Sequence, residues 1–303
     1  MYFIMGRGCI LTWYTDVCMS LDLTKWHLSG EYISFDGIKL FVRSEGIGQP
    51  IICLHAFPTS SYDYSGITPY LAEQYKLYFL DYPGFGFSDK PKKFSYSLRK
   101  YADAVEETMR HFELKKIHMI SHDIGDSIAL ELLKRGSIKI DKLLMLNGSV
   151  YSIPFDDPIM WFSQRLWISK ISGPIISKLR LFRKVFFRRM MNRIFAQALS
   201  KNEANAFWSL LQYNDGLGIY HELMQYMPER WQYQFEWLDA LKNSDVEATL
   251  IWGQADPVAT PAVADFVCGI RKDINYVKLE KIGHYPHWEK PELVANIVQE
   301  VFR

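Results

Sequence analysis

Cysteine is scarce in this sequence and scattered: four in 303 residues, at Cys9, Cys18, Cys53 and Cys268, with no CxxC pair. Zinc ribbons and dithiol redox motifs need such pairs, and small secreted scaffolds need a denser even set, so neither class fits. Free thiols suit a reducing compartment, and the expected location is cytoplasmic. An excess of one charge is also missing. The net charge of +1 provides no electrostatic ground for a nucleic-acid partner. No apolar run reaches the length of a membrane span; the stretch 9–14 is too short, and Asp16 follows it. A basic start and a small-residue cleavage site, the marks of a secretory leader, are absent too. Residues 1–28 therefore read as an N-terminal extension, flexible or loosely docked, with Met19 an alternative start. Internal repeats and low-complexity tracts are not found.

What is present is a regular alternation. Residues 32–35, the dipeptide Asp36-Gly37 and residues 38–42 form a hairpin signal. Buried-strand runs follow at 51–54, 77–80, 117–120, 143–146, 249–252 and 276–279. Helical stretches separate them. One starts at Ser97 with Leu98, Tyr101, Val105, Met109 and Phe112 on one face, and another opens at Pro291. Strands alternating with helices predict a mostly parallel sheet covered on both faces. Between Gly148 and about Leu241 strand-like runs are lacking, and Trp and Phe supply the apolar bulk. The expected organisation is a core at 29–148 and 242–303 with a helical cap at 149–241. Lys178 to Arg193 is strongly basic. On a helical wheel Arg183, Arg189 and Arg193 interrupt its apolar arc, which predicts a cap helix with a solvated basic side rather than a membrane-bound one.

The run 116–120 hands directly to a helical pattern through Ser121-His122-Asp123-Ile124-Gly125. Small residues two before and two after the central side chain are the signature of a nucleophile elbow, with Asp in place of the more usual Ser. A helix N-cap is the plain alternative for Asp123. Two further residues weigh against it. Asp256 follows the strand 249–252, and His284 lies on a loop before the final helix, so nucleophile, acid and His follow in the order seen in α/β-hydrolases.

From about Tyr32 onward the chain resembles α/β-hydrolases of the epoxide hydrolase and haloalkane dehalogenase branch. The resemblance rests on His55-Ala56-Phe57-Pro58-Thr59-Ser60-Ser61-Tyr62, on the segment from Asp81-Tyr82-Pro83-Gly84 to Lys90-Pro91, and on His122-Asp123. Within the branch it is most similar to the mesoderm-specific transcript group, through Gly125-Asp126, Asn214-Asp215-Gly216, Asp256-Pro257-Val258 and His284-Tyr285-Pro286. The resemblance implies an α/β-hydrolase fold and an oxyanion hole built from the backbone N–H groups of Phe57 and Ile124. His55 and His122 are read as supporting residues.

A carboxylate nucleophile needs no base to attack an sp3 carbon, and His284, oriented by Asp256, would activate water against the resulting ester. Dehalogenases hold the departing halide with a Trp after the nucleophile and an Asn in the first loop or a cap Trp. Here Ile124 and Phe57 offer no side-chain donor, which leaves Trp161 or Trp167. The acid place after the sixth strand holds Asn147. Epoxide hydrolases protonate the opening oxygen from cap tyrosines; Tyr226 matches the second of these, and Tyr151 or Tyr213 would only be a guess for the first. The pair His284 and His287 lacks a third ligand, so no metal and no cofactor is expected. The expected activity is epoxide hydrolysis on a small apolar substrate with water. Carboxylic ester hydrolysis or dehalogenation is the alternative within the class, and ligand binding without turnover is the alternative outside it.

Overall fold

The apolar runs pair into a single eight-stranded sheet. The computed structural model describes residues 3–5, 9–12, 15–148, 150–151 and 158–303. Three short strands, β1 (Phe3–Met5), β2 (Cys9–Thr12) and β3 (Thr15–Ser20), form a separate antiparallel sheet. The main sheet contains β4 (Glu31–Phe35), β5 (Ile38–Gly46), β6 (Gln49–Leu54), β7 (Tyr75–Leu80), β8 (Lys116–His122), β9 (Lys139–Leu146), β10 (Glu247–Gly253) and β11 (Asn275–Leu279). Its order is β11-β10-β9-β8-β6-β7-β5-β4. Only β5 runs antiparallel to its neighbours, and the other pairings are parallel.

Parallel strands covered on both faces need unbroken apolar runs, and these have them: Ile51, Ile52, Leu54, Ile117, Met119, Ile120, Leu143 and Leu144 are all fully buried. Register then sets where chemistry gathers. Leu54 sits opposite Ser121, His122 opposite Leu146, and Leu146 opposite Ile251, so the carboxyl ends of β6, β8, β9 and β10 lie at one edge.

In the core, α1 (Leu21–Leu28), α2 (Thr68–Leu71), α3 (Leu98–His111) and α4 (Ile124–Arg135) precede the cap, while α11 (Pro261–Ile270), α12 (Pro286–Glu289) and α13 (Pro291–Phe302) follow it. Ser97 caps α3 by accepting from the Lys100 N–H. The segment 1–28, expected to be flexible or loosely docked, includes α1. Leu23 and Trp26 are buried, and the Arg43 guanidinium lies 4.0 Å over the Trp26 ring.

Between β9 and β10 the chain forms α5 (Pro158–Ile168), α6 (Ser172–Lys178), α7 (Lys184–Ile194), α8 (Lys201–Gln212), α9 (Tyr220–Leu223) and α10 (Tyr226–Asn243). The last of these is tied firmly to the core. The Trp237 indole N–H donates to Glu131 on α4 at 2.7 Å. The Glu229 carboxylate accepts the Leu98 and Arg99 N–H groups at the start of α3, where the helix dipole favours an anion. Tyr226, one turn ahead of Glu229, inherits that rigidity.

Candidate active site

Asp123 sits between the end of β8 and the start of α4 with φ 51° and ψ −112°, a region that non-glycine residues rarely occupy. The strain turns its side chain out of the helix; it makes no N-cap hydrogen bond. Gly125 is needed because a Cβ there would stand 2.5 Å from the Leu54 carbonyl oxygen on β6. The elbow geometry therefore follows from close packing of α4 against the sheet. Behind it, Ser121 donates to buried Asp126 at 2.5 Å. Burial, reinforced by the Asp123 charge, lifts the Asp126 carboxyl well above the usual range.

The Asp123 carboxylate accepts the Phe57 backbone N–H at 3.0 Å. His55 holds that loop in place: its Nδ1–H donates to the Ala56 carbonyl at 2.9 Å, and its Nε2 accepts the Tyr82 N–H at 3.2 Å. Ile124, the other expected donor, is the first residue of α4 and is buried.

His284 and Asp256 meet at the same edge, with Nδ1 to Oδ2 at 2.7 Å. Both are almost fully buried. Burial opposes a charged imidazole, but the Asp256 carboxylate, with smaller help from Asp123 and Glu289, outweighs it and raises the His284 pKa. With Nδ1–H given to Asp256, Nε2 is the accepting nitrogen. Asn147 turns out to matter. Its amide donates to Asp256 Oδ2 at 2.7 Å and its oxygen accepts the Gly253 N–H at 2.8 Å. Asn147, the residue after β9, thus orients the Asp256 carboxylate.

The main chain of His284 is held from two sides. His122 Nε2–H donates to its carbonyl at 2.7 Å, and its N–H donates to the Ile194 carbonyl at the end of α7. His122 is fully buried, and burial holds it far below the usual imidazole range. His287 does have acidic company: with His122 and Asp63 it brings ligand-type atoms within 4.8 Å of one another. The sequence reading, which paired His287 only with His284, missed this cluster. Its members do not line the cavity described next.

A cavity of about 350 Å³ opens above Asp123 and His284. Its walls are largely apolar, from Trp167, Phe182, Met190, Ile194, Met224 and Val258, with Tyr220, Tyr226 and Arg230 among the polar groups that reach it. Tyr226 is buried, its ring 5.1 Å from that of Phe57, and burial with the Asp123 charge pushes its pKa upward. Tyr220, six residues earlier, lies 5.4 Å from Phe57 and is raised by burial in turn. The sequence reading missed Tyr220. The guesses it offered lie elsewhere: Tyr151 stacks on Phe266, and Tyr213 packs against Phe87. Trp167 reaches the cavity, whereas the Trp161 side chain lies outside the described residues.

The chain as a whole has relatives of known sequence and fold. The chain is 34% identical over 285 residues to "Putative hydrolase LipZ" of Mycobacterium tuberculosis, covering 91% of this chain and 96% of that protein. It is 31% identical over 292 residues to the mesoderm-specific transcript protein of Mus musculus, covering 90% and 85%. Among solved structures it resembles "Epoxide hydrolase CorEH without ligand" at TM-score 0.76 and 20% identity, covering 90% and 98%. The sequence profile of the alpha/beta hydrolase fold matches residues 49–291, and the mostly parallel eight-stranded sheet and the near full-length match to relatives agree with it: the chain belongs to the α/β-hydrolase fold family and is a hydrolase.

Proposed function

We propose that this hydrolase acts through a covalent ester on Asp123 and that its preferred reaction is the opening of epoxides on small apolar substrates. One observation carries the reading: an anionic side chain on a strained elbow faces an apolar cavity together with a His–Asp pair and two buried tyrosines. A Ser or Cys nucleophile would need His284 for the first step, but a carboxylate does not.

In the first step Asp123 attacks an epoxide carbon, the C–O bond breaks, and the oxygen takes a proton from Tyr226, with Tyr220 the second donor. Burial makes both phenols weaker acids, so they stay protonated at neutral pH and act as donors to the developing alkoxide. In the second step His284 Nε2 accepts a proton from water. The hydroxide adds to the ester carbonyl of Asp123, and the oxyanion forms beside the Phe57 N–H. Collapse releases the diol, and the imidazolium returns a proton to the tyrosinate. Activated carboxylic esters would instead pass through a mixed anhydride: Asp123 attacks the acyl carbon, the aryl oxide leaves, and water activated by His284 hydrolyses the anhydride.

Replacing His284 with Gln blocks the water step, so intact-mass analysis after epoxide addition should show an adduct that peptide mapping assigns to Asp123. A single turnover of the unaltered enzyme in heavy-oxygen water should put the label into Asp123 before it reaches product. Label appearing first in the diol would sink the ester mechanism. Bound ligand released unchanged, with no turnover of epoxides, esters or haloalkanes, would assign the cavity to binding alone.

A further inference from the structure

The front of the cap carries a surface that this chemistry does not use. From Pro158 to Asn202 the chain has ten Lys or Arg and no Asp or Glu. Eight of the sixteen exposed large hydrophobic residues among the described residues fall within 162–186, a twelfth of the chain. Ile171, Ile175 and Leu179 are 77%, 51% and 58% exposed and four residues apart, so they form one stripe along α6. Phe162 on α5 and Leu181, Val185 and Phe186 around the start of α7 extend it. Helices α5 and α6 pack together, and the turn that leads from α6 to α7 folds back on them. The Trp167 and Phe182 rings are 5.6 Å apart, and the Leu181 N–H folds back onto the Ile176 carbonyl.

Exposed apolar side chains in this concentration mark an interaction surface. Their setting says with what. Lys170, Lys178, Arg183, Lys184 and Arg188 are exposed, and among the described residues none of them has an ion pair; Arg180 pairs with Asp215. A second copy seated on the same patch would bring two predominantly basic surfaces face to face, which like-charge repulsion opposes. The helical wheel of 178–193 alone argued for a merely solvated basic side. Arg183, Arg189 and Arg193 are exposed, as that reading has them, and the apolar stripe lies beside them on α6 and the turn after it.

We propose that the α5–α7 face docks on the surface of an anionic lipid bilayer. Ile171, Ile175, Leu179 and Leu181 enter the headgroup boundary while the surrounding Lys and Arg meet lipid phosphates. The face runs on to the cavity: Phe186 and Arg189 are exposed and also line it. Docking turns the mouth toward the bilayer, so an apolar substrate can enter without crossing water. The binding claim is independent of the reaction proposed above, and its test reads binding only.

The full chain is sedimented with vesicles of phosphatidylcholine alone and of phosphatidylcholine mixed with phosphatidylserine. Binding should favour the mixed vesicles and weaken with salt. Lys178→Gln with Lys184→Gln should weaken it about fivefold for each cation removed. Ile175→Gln with Leu179→Gln should weaken it on the order of tenfold without changing the salt dependence. All four side chains are exposed, so the melting temperature should stay put, and it is measured alongside. Equal binding to both vesicle types, or variants that bind as the parent does, would overturn the proposal. So would a solution dimer that the Ile175→Gln, Leu179→Gln variant dissociates, which would give the face to a second copy.

Discussion

The ends of the core strands and the front of the cap solve opposite problems. At the strand ends the three facing side chains are buried and hydrogen-bonded: Asp123 has the Phe57 N–H, His284 has Asp256, and Asp256 has Asn147. On α5–α7 the charges are exposed and the apolar side chains lie beside them in water. A buried charge is held to one geometry by the cost of leaving it unpaired, which suits a reacting centre. An exposed mixed surface has no such constraint and suits contact with something outside the molecule. On the proposed mechanism, bond-making falls to the core and substrate choice to the cap, with Tyr226 as the link between them.

Asp123→Ala tests the core half and carries the largest expected effect. Turnover of epoxides and of activated aryl esters should both fall by roughly 10⁴-fold or more. Activity within tenfold of the parent would move the nucleophile elsewhere. The double change Tyr220→Phe and Tyr226→Phe tests the link. Formation of the Asp123 ester from epoxides should slow by roughly 10²- to 10³-fold while aryl ester hydrolysis stays nearly constant. Equal losses on both substrates would return the two rings to cap packing.

Halide release from 1-bromoalkanes should run roughly a hundredfold or more below the best epoxide turnover, because Ile124 and Phe57 provide no side-chain donor to a leaving halide. Fast release would mean that Trp167 makes the cradle from the cap side. Two smaller effects sharpen the core. Asn147→Ala strands the Gly253 N–H and removes a donor from Asp256, so denaturant unfolding should show a loss of about 1–3 kcal/mol. The pH profile should follow His284. The base must be neutral, and its pKa is raised, so turnover should fall with acid about a midpoint above roughly 6.5. Asp256→Asn removes the charge that raises it, and the midpoint should move down even as the rate drops.

Much of the site was legible because strand ends are local. The runs at 51–54, 117–120 and 249–252 are too apolar to be anything but buried, and the residues after them had to meet at one edge once the strands lay parallel. Residues 1–28 were harder. Nothing in their pattern announces that Trp26 would pack under Arg43, since that contact depends on a partner 17 positions away. Asn147 was noted only as a missing acid, because its hydrogen bonds run to β10 and the loop beyond it, 106 and 109 positions on. Tyr220 was passed over among eighteen tyrosines for the same reason.

The sequence by itself determined the sheet, the order of the three candidate side chains and the tight turn that exposes Asp123, since each depends on period, chain order or the lack of a Cβ over a few residues. Only the tertiary structure decided which tyrosines reach the cavity, which amide orients Asp256 and which apolar side chains of the cap stay in water. Those outcomes depend on how helices of similar composition pack around one another. A short helix rich in Phe, Ile and Arg is compatible with several packings, and only the folded assembly shows which of its faces is left uncovered.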